Sequence, residues 1–441
     1  MAPSTDRSPD LTAAPKIQLL LTGDELMSGD TVDSNSSLMA RELNVLGLTP
    51  RRRVTLGDDR PALVAELRQL CRESDAVLMN GGLGPTVDDL TAEILAEVAG
   101  VTISEHPQAM AHLESWCAKR GLQLNEANHK QAMLPAGCEI IANPVGSAVG
   151  MAMEVDDCLV LCSPGVPGEL RAMLPEMIGR LQERFAISDQ KDVLRLQTFG
   201  IGESTVQQMV NDHCRDWPEA VSLSFRAGAP QLELKLTIAN RESADLRAQC
   251  LSELRALFGD HIIGEGDTKI AEAVIDLARS AGLQLTCAES CTGGLIASML
   301  TQIPGSSDAF PGGFVTYSNT MKAEILGVSQ QTLDTDGAVS EATVREMLRG
   351  ALRASHADLG VTVSGIAGPG GGSADKPVGT VWLAWGDKDH IDTACLCWPV
   401  ERTLFQTMVA AAGLDVLRRR MLGIAPEPRY FEQRRLKRQD N

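Results

Sequence analysis

The chain has 441 residues, 44% of them apolar, enough for two or three ordinary cores rather than one. Its formal charge of −18 argues against a nucleic-acid binder, because such proteins present a basic face. No run of about 18 uninterrupted apolar residues occurs, which excludes a helical membrane span.

Residues 1–15, MAPSTDRSPDLTAAP, have neither a basic start nor an apolar stretch, so they read as a disordered leader rather than a signal peptide. From 16 to about 180 strands and helices alternate. IQLLL is a buried strand, Ser34 to Leu46 a helix stopped by Gly47, and RRRVTLG a second strand. A helix capped by Asp58 or Asp59 runs to Cys71. The strand DAVLMN then leads into GGLGPTVDD and the helix LTAEILAEVAG. Short links between such elements imply a parallel α/β sheet.

Residues 181–265 read as a small α+β module, with helices over Glu203–Asp212 and ESADLRAQCLSELRALFG and strands in KDVLRLQTFG and QLELKLTIAN. Gly264 to Asp267 reads as a linker. A second α/β unit occupies 268–425, with QLTCAES, GGFVTYS, GVTVSGIAGPG and VGTVWLAW as strands. Its helices are Thr268–Ala281, CTGGLIASMLTQ, Glu341–His356 and Glu401–Leu422. On this reading it folds alone. Residues 426–441 read as a mobile basic tail.

Ligands in such sheets gather at the carboxyl ends of the strands. In the first domain that places TGDEL (Asp24), VDSN (Asn35) and GGLGPTVDD together, the last offering Gly81, Gly82, Gly84, Thr86, Asp88 and Asp89. Glycine amides suit phosphate, and carboxylates beside phosphate call for a divalent cation. The plainer alternative makes GGLGP a tight turn and the acids helix caps. In the last domain AESCTGG joins a strand to a helix. Ser290 there competes with Cys291 as nucleophile, with Thr292, Gly293 and Gly294 keeping the helix end open to an oxyanion. YSNTMK supplies Tyr317 and Lys322. Serine–lysine pairing is an alternative to serine–histidine when the lysine pKa is lowered. The glycine-rich loop at 365–380 lacks a Walker lysine, so it suits a nucleotide monophosphate or an amide rather than a triphosphate.

GDELMSGDTVDSN, GGLGPTVDDLT, NHKQAMLPAG, NPVGSAVG and SPGVPGE resemble the N-terminal domain of the CinA family, itself similar to molybdopterin-binding proteins. AESCTGG, PGGFVTYSNTMKAEILGV, GAVSE, SGIAGPGGG and KPVGTVWLAW resemble its C-terminal amidase domain. The resemblance implies two three-layer α/β domains joined by a KH-like module. It further implies deamidation of nicotinamide mononucleotide, with Ser290 as nucleophile, Tyr317 and Lys322 assisting, and no cofactor. Around that site it places Thr292, Gly293, Gly294, Gly312, Gly313, Gly365, Ala367 and Gly368. For the first domain it implies hydrolysis of ADP-ribose with magnesium, manganese or cobalt on Asp24, Asp88 and Asp89, and phosphate held by Gly81, Gly82, Thr86 and Asn35. Val87 and Met27 depart from the family pattern without removing a chemical group. A cytoplasmic homodimer acting on small nucleotides, with no nucleic-acid or membrane partner, is expected. A molybdopterin-handling protein and a non-catalytic DNA-uptake accessory are the alternatives.

Overall fold

The structure, a computed structural model, describes residues 14–187, 192–425 and 427–435. The chain divides into two compact units between Asp192 and Val193. The leader predicted over residues 1–15 lies almost wholly outside the described residues.

The strands of the first unit are β1 (Ile17–Thr22), β2 (Arg52–Leu56), β3 (Ala76–Asn80), β4 (Ile103–Glu105), β5 (Met133–Pro135), β6 (Glu139–Ile141), β7 (Gly150–Val155) and β8 (Cys158–Ser163). Six of them form one sheet in the order β2-β1-β3-β8-β7-β6, while β4 and β5 pair with each other. Alternation along the strands buries both faces. Leu20, Val77 and Met79 enter one core, and Leu19, Leu21 and Leu78 enter the other. The predicted parallel sheet is mixed: β1, β2, β3 and β8 run parallel, whereas β7 and β6 are antiparallel. The turn joining β7 to β8 is made by Asp156 and Asp157, with φ of 48° and 67°. Two consecutive left-handed residues are what a tight hairpin turn demands, and aspartate tolerates that region better than most residues.

The second unit opens with β9 (Asp192–Thr198), β10 (Val221–Ala227), β11 (Leu232–Ile238) and β12 (Ile262–Glu265), ordered β10-β11-β9-β12. Helices Glu203–His213 and Ala244–Phe258 cover them around Leu234, Leu236, Val206 and Leu254. Residues 264 and 265, predicted as linker, belong to the edge strand β12. The remaining strands are β13 (Leu285–Glu289), β14 (Gly312–Val315), β15 (Leu359–Gly365), β16 (Thr380–Gly386) and β17 (Ile391–Cys397), ordered β14-β13-β15-β16-β17. β13, β14 and β15 are parallel, and β16 and β17 are antiparallel. Cys287, Val361, Val363 and Leu383 face one core, while Ala288, Met347 and Ala384 face the cores on the opposite side.

One expectation is revised here. Tyr430 and Phe431, placed in the mobile tail, are 6% and 1% exposed, and Tyr430 stacks edge-on to Phe199 at 5.3 Å. The segment from 268 onward, expected to fold alone, is tied to the preceding module through buried side chains. Arg418 and Arg419, buried near the end of helix Arg402–Leu422, need acceptors that the preceding module supplies. Arg418 donates to the carbonyls of Asp260 and Ile262 at 2.6 and 3.2 Å, and Arg419 pairs with the Asp260 carboxylate.

Candidate functional site

β13 ends at Glu289, and the chain turns through Ser290–Gly294 before helix Leu295–Thr301 begins. Ser290 is anchored to the neighbouring strand, its N–H donating to the Val363 carbonyl at 3.1 Å. A second turn follows β14. Ser318 caps helix Asn319–Leu326 by accepting from the Met321 N–H at 3.2 Å, and this places Lys322 on the inward face. The Lys322 Nζ lies 3.0 Å from Ser290 Oγ, 2.9 Å from the Thr316 carbonyl oxygen and 3.4 Å from that of Tyr317.

Lys322 is 1% exposed and, among the described residues, no carboxylate pairs with its amine, so burial pushes its pKa below the ordinary lysine value. A neutral amine has two N–H donors and one lone pair. The two carbonyl oxygens take the donors, and the remaining direction faces Ser290 Oγ. With the amine neutral, this arrangement would allow it to accept the Ser290 proton.

Cys291 is a poor rival. Burial pushes its thiol up to about 12, and burial, with Glu289 alongside, holds the Cys287 thiol well above its ordinary value. A thiol that holds its proton is no nucleophile at neutral pH.

A cavity of about 200 Å³ opens over the pair, lined by Ser290, Lys322, Tyr317, Ser364, Ala367 and Arg402, among others. Gly365 also lines it. Tyr317 is 62% exposed, so its ring does not bury Lys322. Its hydroxyl instead accepts from Arg402 at 3.1 Å, and Arg402 also donates to the Gly368 carbonyl at 2.7 Å. Gly368 therefore acts through Arg402.

The open helix end expected at Thr292, Gly293 and Gly294 is filled. Glu289 accepts from the Thr292 hydroxyl and from the Gly294, Ile296 and Ala297 amides. Gly293 donates to the Ser290 carbonyl. Gly312 accepts from Thr286 Oγ1, and a side chain at Gly313 would meet Cys287 Sγ at 2.6 Å. These two shape β14 rather than the cavity. Sequence reasoning missed Glu289, Ser364 and Arg402.

In the first unit a cavity of about 500 Å³ is lined by Gly81, Gly82, Asp88 and Asp89, together with Glu25, Asp58 and Glu169. The expected cradle is largely spent on its own turn. The Gly81 amide donates to the Ser163 carbonyl, and Asp89 accepts from the Gly84 and Thr86 amides and the Thr86 hydroxyl. Gly81 has φ +109°, and a side chain there would strike the Thr22 carbonyl. Glycine at this position answers to the turn as much as to a ligand. Asp24 exchanges hydrogen bonds with Asp58 at 3.0 and 3.2 Å and does not line the cavity. Asn35 donates to Asn80 Oδ1 and the Gly165 carbonyl beside a smaller space of about 60 Å³. Among the described residues no three His, Cys, Asp or Glu side chains gather to hold a metal. Asp24, Asp88 and Asp89 do not fit the divalent site expected of them, because Asp89 is committed to its loop and Asp24 to Asp58.

The Lys322 assignment carries its own prediction. Lys322→Arg keeps a positive charge that cannot be lost, so it should fail as badly as Lys322→Ala. Wild-type kcat should rise with pH through one ionisation lying below the ordinary lysine value. A pH–rate profile checks both, and an arginine variant with near-native kcat would leave Lys322 only a binding role.

Comparison with known proteins agrees with the two-unit layout. Residues 18–183 match the family described as a probable molybdopterin binding domain, and residues 267–421 match the CinA C-terminal domain. A CinA-like protein of Colwellia psychrerythraea is 50% identical over 426 residues, covering 96% of this chain and 99% of that one. The protein named nicotinamide-nucleotide amidohydrolase PncC in Shewanella oneidensis is 35% identical over 412 residues, covering 93% and 97%. The crystal structure of the competence/damage inducible protein CihA from Agrobacterium tumefaciens aligns at 45% identity with a TM-score of 0.33, over 34% of this chain and 91% of that one. With half of its residues shared with a relative along nearly the whole length of both, the chain belongs to the CinA family.

Proposed function

We propose that the second unit is a nicotinamide mononucleotide deamidase, releasing ammonia and leaving nicotinate mononucleotide. The observation that carries this reading is the buried Lys322 amine 3.0 Å from Ser290 Oγ, both lining one cavity. Lys322 takes the Ser290 proton as Oγ attacks the carboxamide carbon. The C–N bond then breaks, and the leaving nitrogen departs as ammonia with the proton from Lys322. Water, deprotonated by the same amine, attacks the acyl carbon of the resulting serine ester; the C–Oγ bond breaks and Lys322 returns the proton to Ser290 Oγ. At about 200 Å³ the cavity is smaller than the ~300–1,000 Å³ usual for a whole ligand. It accommodates the pyridine carboxamide end, leaving the ribosyl phosphate towards Arg402, which also lines it. The name carried by the Shewanella relative supports the same substrate.

The test is ammonia release from nicotinamide mononucleotide by the purified full chain. Turnover that persists in a chelator fits the reading, and absence of turnover rejects it.

For the first unit, the specific support for ADP-ribose hydrolysis is its glycine-bordered cavity of about 500 Å³. No metal-bound step is proposed, because the carboxylates do not converge. Cleavage of ADP-ribose with and without chelator tests it. Cleavage lost only in chelator would restore the metal, and no cleavage in either would remove the activity.

A further inference from the structure

Glu289 is fully buried, sits next to Ser290 and takes no part in the chemistry above. Five donors converge on its carboxylate. Oε2 accepts from Thr292 Oγ1 at 2.6 Å, from the Ile296 amide at 3.0 Å and from the Gly294 amide at 3.1 Å. Oε1 accepts from the Ala297 amide at 2.9 Å, with Cys287 Sγ at 3.6 Å. Its main chain holds the other half of the pair. The Glu289 carbonyl accepts from the Thr316 amide at 2.8 Å, and the Thr316 carbonyl is one of the two that receive Lys322 Nζ.

Successive side chains at a strand end point to opposite faces. Glu289 is therefore fastened into the helix side while Ser290 turns towards the cavity. Between Glu289 and the helix that begins at Leu295 lies the Ser290–Gly294 turn, which contains two glycines at positive φ and has little stiffness of its own.

We infer that Glu289 is the positioning residue of the site: its carboxylate clamps the turn to the helix Leu295–Thr301 and thereby holds Ser290 Oγ at Lys322 Nζ. The inference rests on Ser290 and Lys322 being the reacting pair. A carboxylate is required because both oxygens must accept. A carboxamide keeps one acceptor and turns an NH2 towards N–H or S–H donors, so one side of the clamp opens. A displacement of about 1 Å at a nucleophile costs about 100-fold in rate.

The experiment uses the full chain and its Glu289→Gln variant, with two readouts. One is kcat and KM for nicotinamide mononucleotide. The other is the rate at which Ser290 Oγ displaces fluoride from phenylmethanesulfonyl fluoride, which needs no substrate. The expected result at 25 °C, well below unfolding, is kcat lowered about 30-fold or more with KM within about threefold, and sulfonylation slowed in parallel. A variant that melts earlier yet keeps native kcat and sulfonylation would make Glu289 a helix cap alone and overturn the inference. If Glu289→Gln does not fold, Thr292→Val removes one donor while keeping the shape. It should lower both rates about three- to tenfold, and native rates in it would overturn the inference equally. If the wild type fails to deaminate but its Ser290 is sulfonylated, the substrate assignment falls, and the sulfonylation rates still decide the role of Glu289.

Discussion

Replacing Ser290 with alanine is expected to lower ammonia release by about 10³-fold or more with the fold unchanged. The substitution deletes the only hydroxyl within reach of Lys322 Nζ among the described residues, and it adds no bulk to a side chain that is 8% exposed. Cys291→Ala should keep most of the activity. Its thiol, pushed up to about 12 by burial, contributes packing under helix Arg402–Leu422. Its backbone carbonyl, which accepts from Gln406, survives the change. Steady-state assays of both variants, with circular dichroism to confirm folding, decide between the two neighbours. Loss in Cys291→Ala with retention in Ser290→Ala would reverse the assignment.

The second large effect is on stability. Asp260→Ala should cost about 3 kcal/mol, or roughly 6–12 °C in the melting of the second unit. It leaves the Arg419 guanidinium, 2% exposed, without its carboxylate. The lower end of the range for broken buried pairs applies, because the Asp260 side chain is 31% exposed and touches water. A fragment beginning at 268 loses more. It lacks Asp260, the Ile262 carbonyl that receives Arg418, and the Phe199 ring against Tyr430. Such a fragment is expected to aggregate or melt well below the chain that starts at 193. Calorimetry on the two lengths checks this, and equal melting temperatures would show that the module adds nothing to the amidase unit.

Much of the fold was legible because periodicity and caps are local. The Asp59 cap, the helix Glu203–His213 and the strand Ile17–Thr22 fall within a residue or two of expectation. The β7–β8 hairpin was not, because its turn is built from Asp156-Asp157 rather than a glycine-bearing pair, and a flat apolar run reads the same in parallel and antiparallel sheets. At the site, Ser290 and Lys322 stood out as candidates because a serine and a lysine lie in short motifs, and the turn after β14 brings the two side chains together. Arg402 did not, because it arrives 85 residues after Tyr317 on a separate helix, and nothing in its own neighbourhood marks it. Glu289 was in plain view in AESCTGG, but its role depends on the helix starting at Leu295, several residues later than the sequence suggested. The acidic turns of the first unit show a related limit of reading carboxylates from a sequence. Composition counts carboxylates, whereas a metal needs them convergent, and here hydrogen bonds to Thr86, Gly84 and Asp58 spread them apart.

The central claim is that Ser290 is acylated during turnover. The most direct measurement is mass spectrometry of the enzyme acid-quenched during steady turnover of nicotinamide mononucleotide, with peptide mapping across 285–301. The account predicts a nicotinate-mononucleotide ester on Ser290 that is present in the wild type and absent from Ser290→Ala. The same adduct found on Cys291, in a wild type that turns over normally, would contradict it.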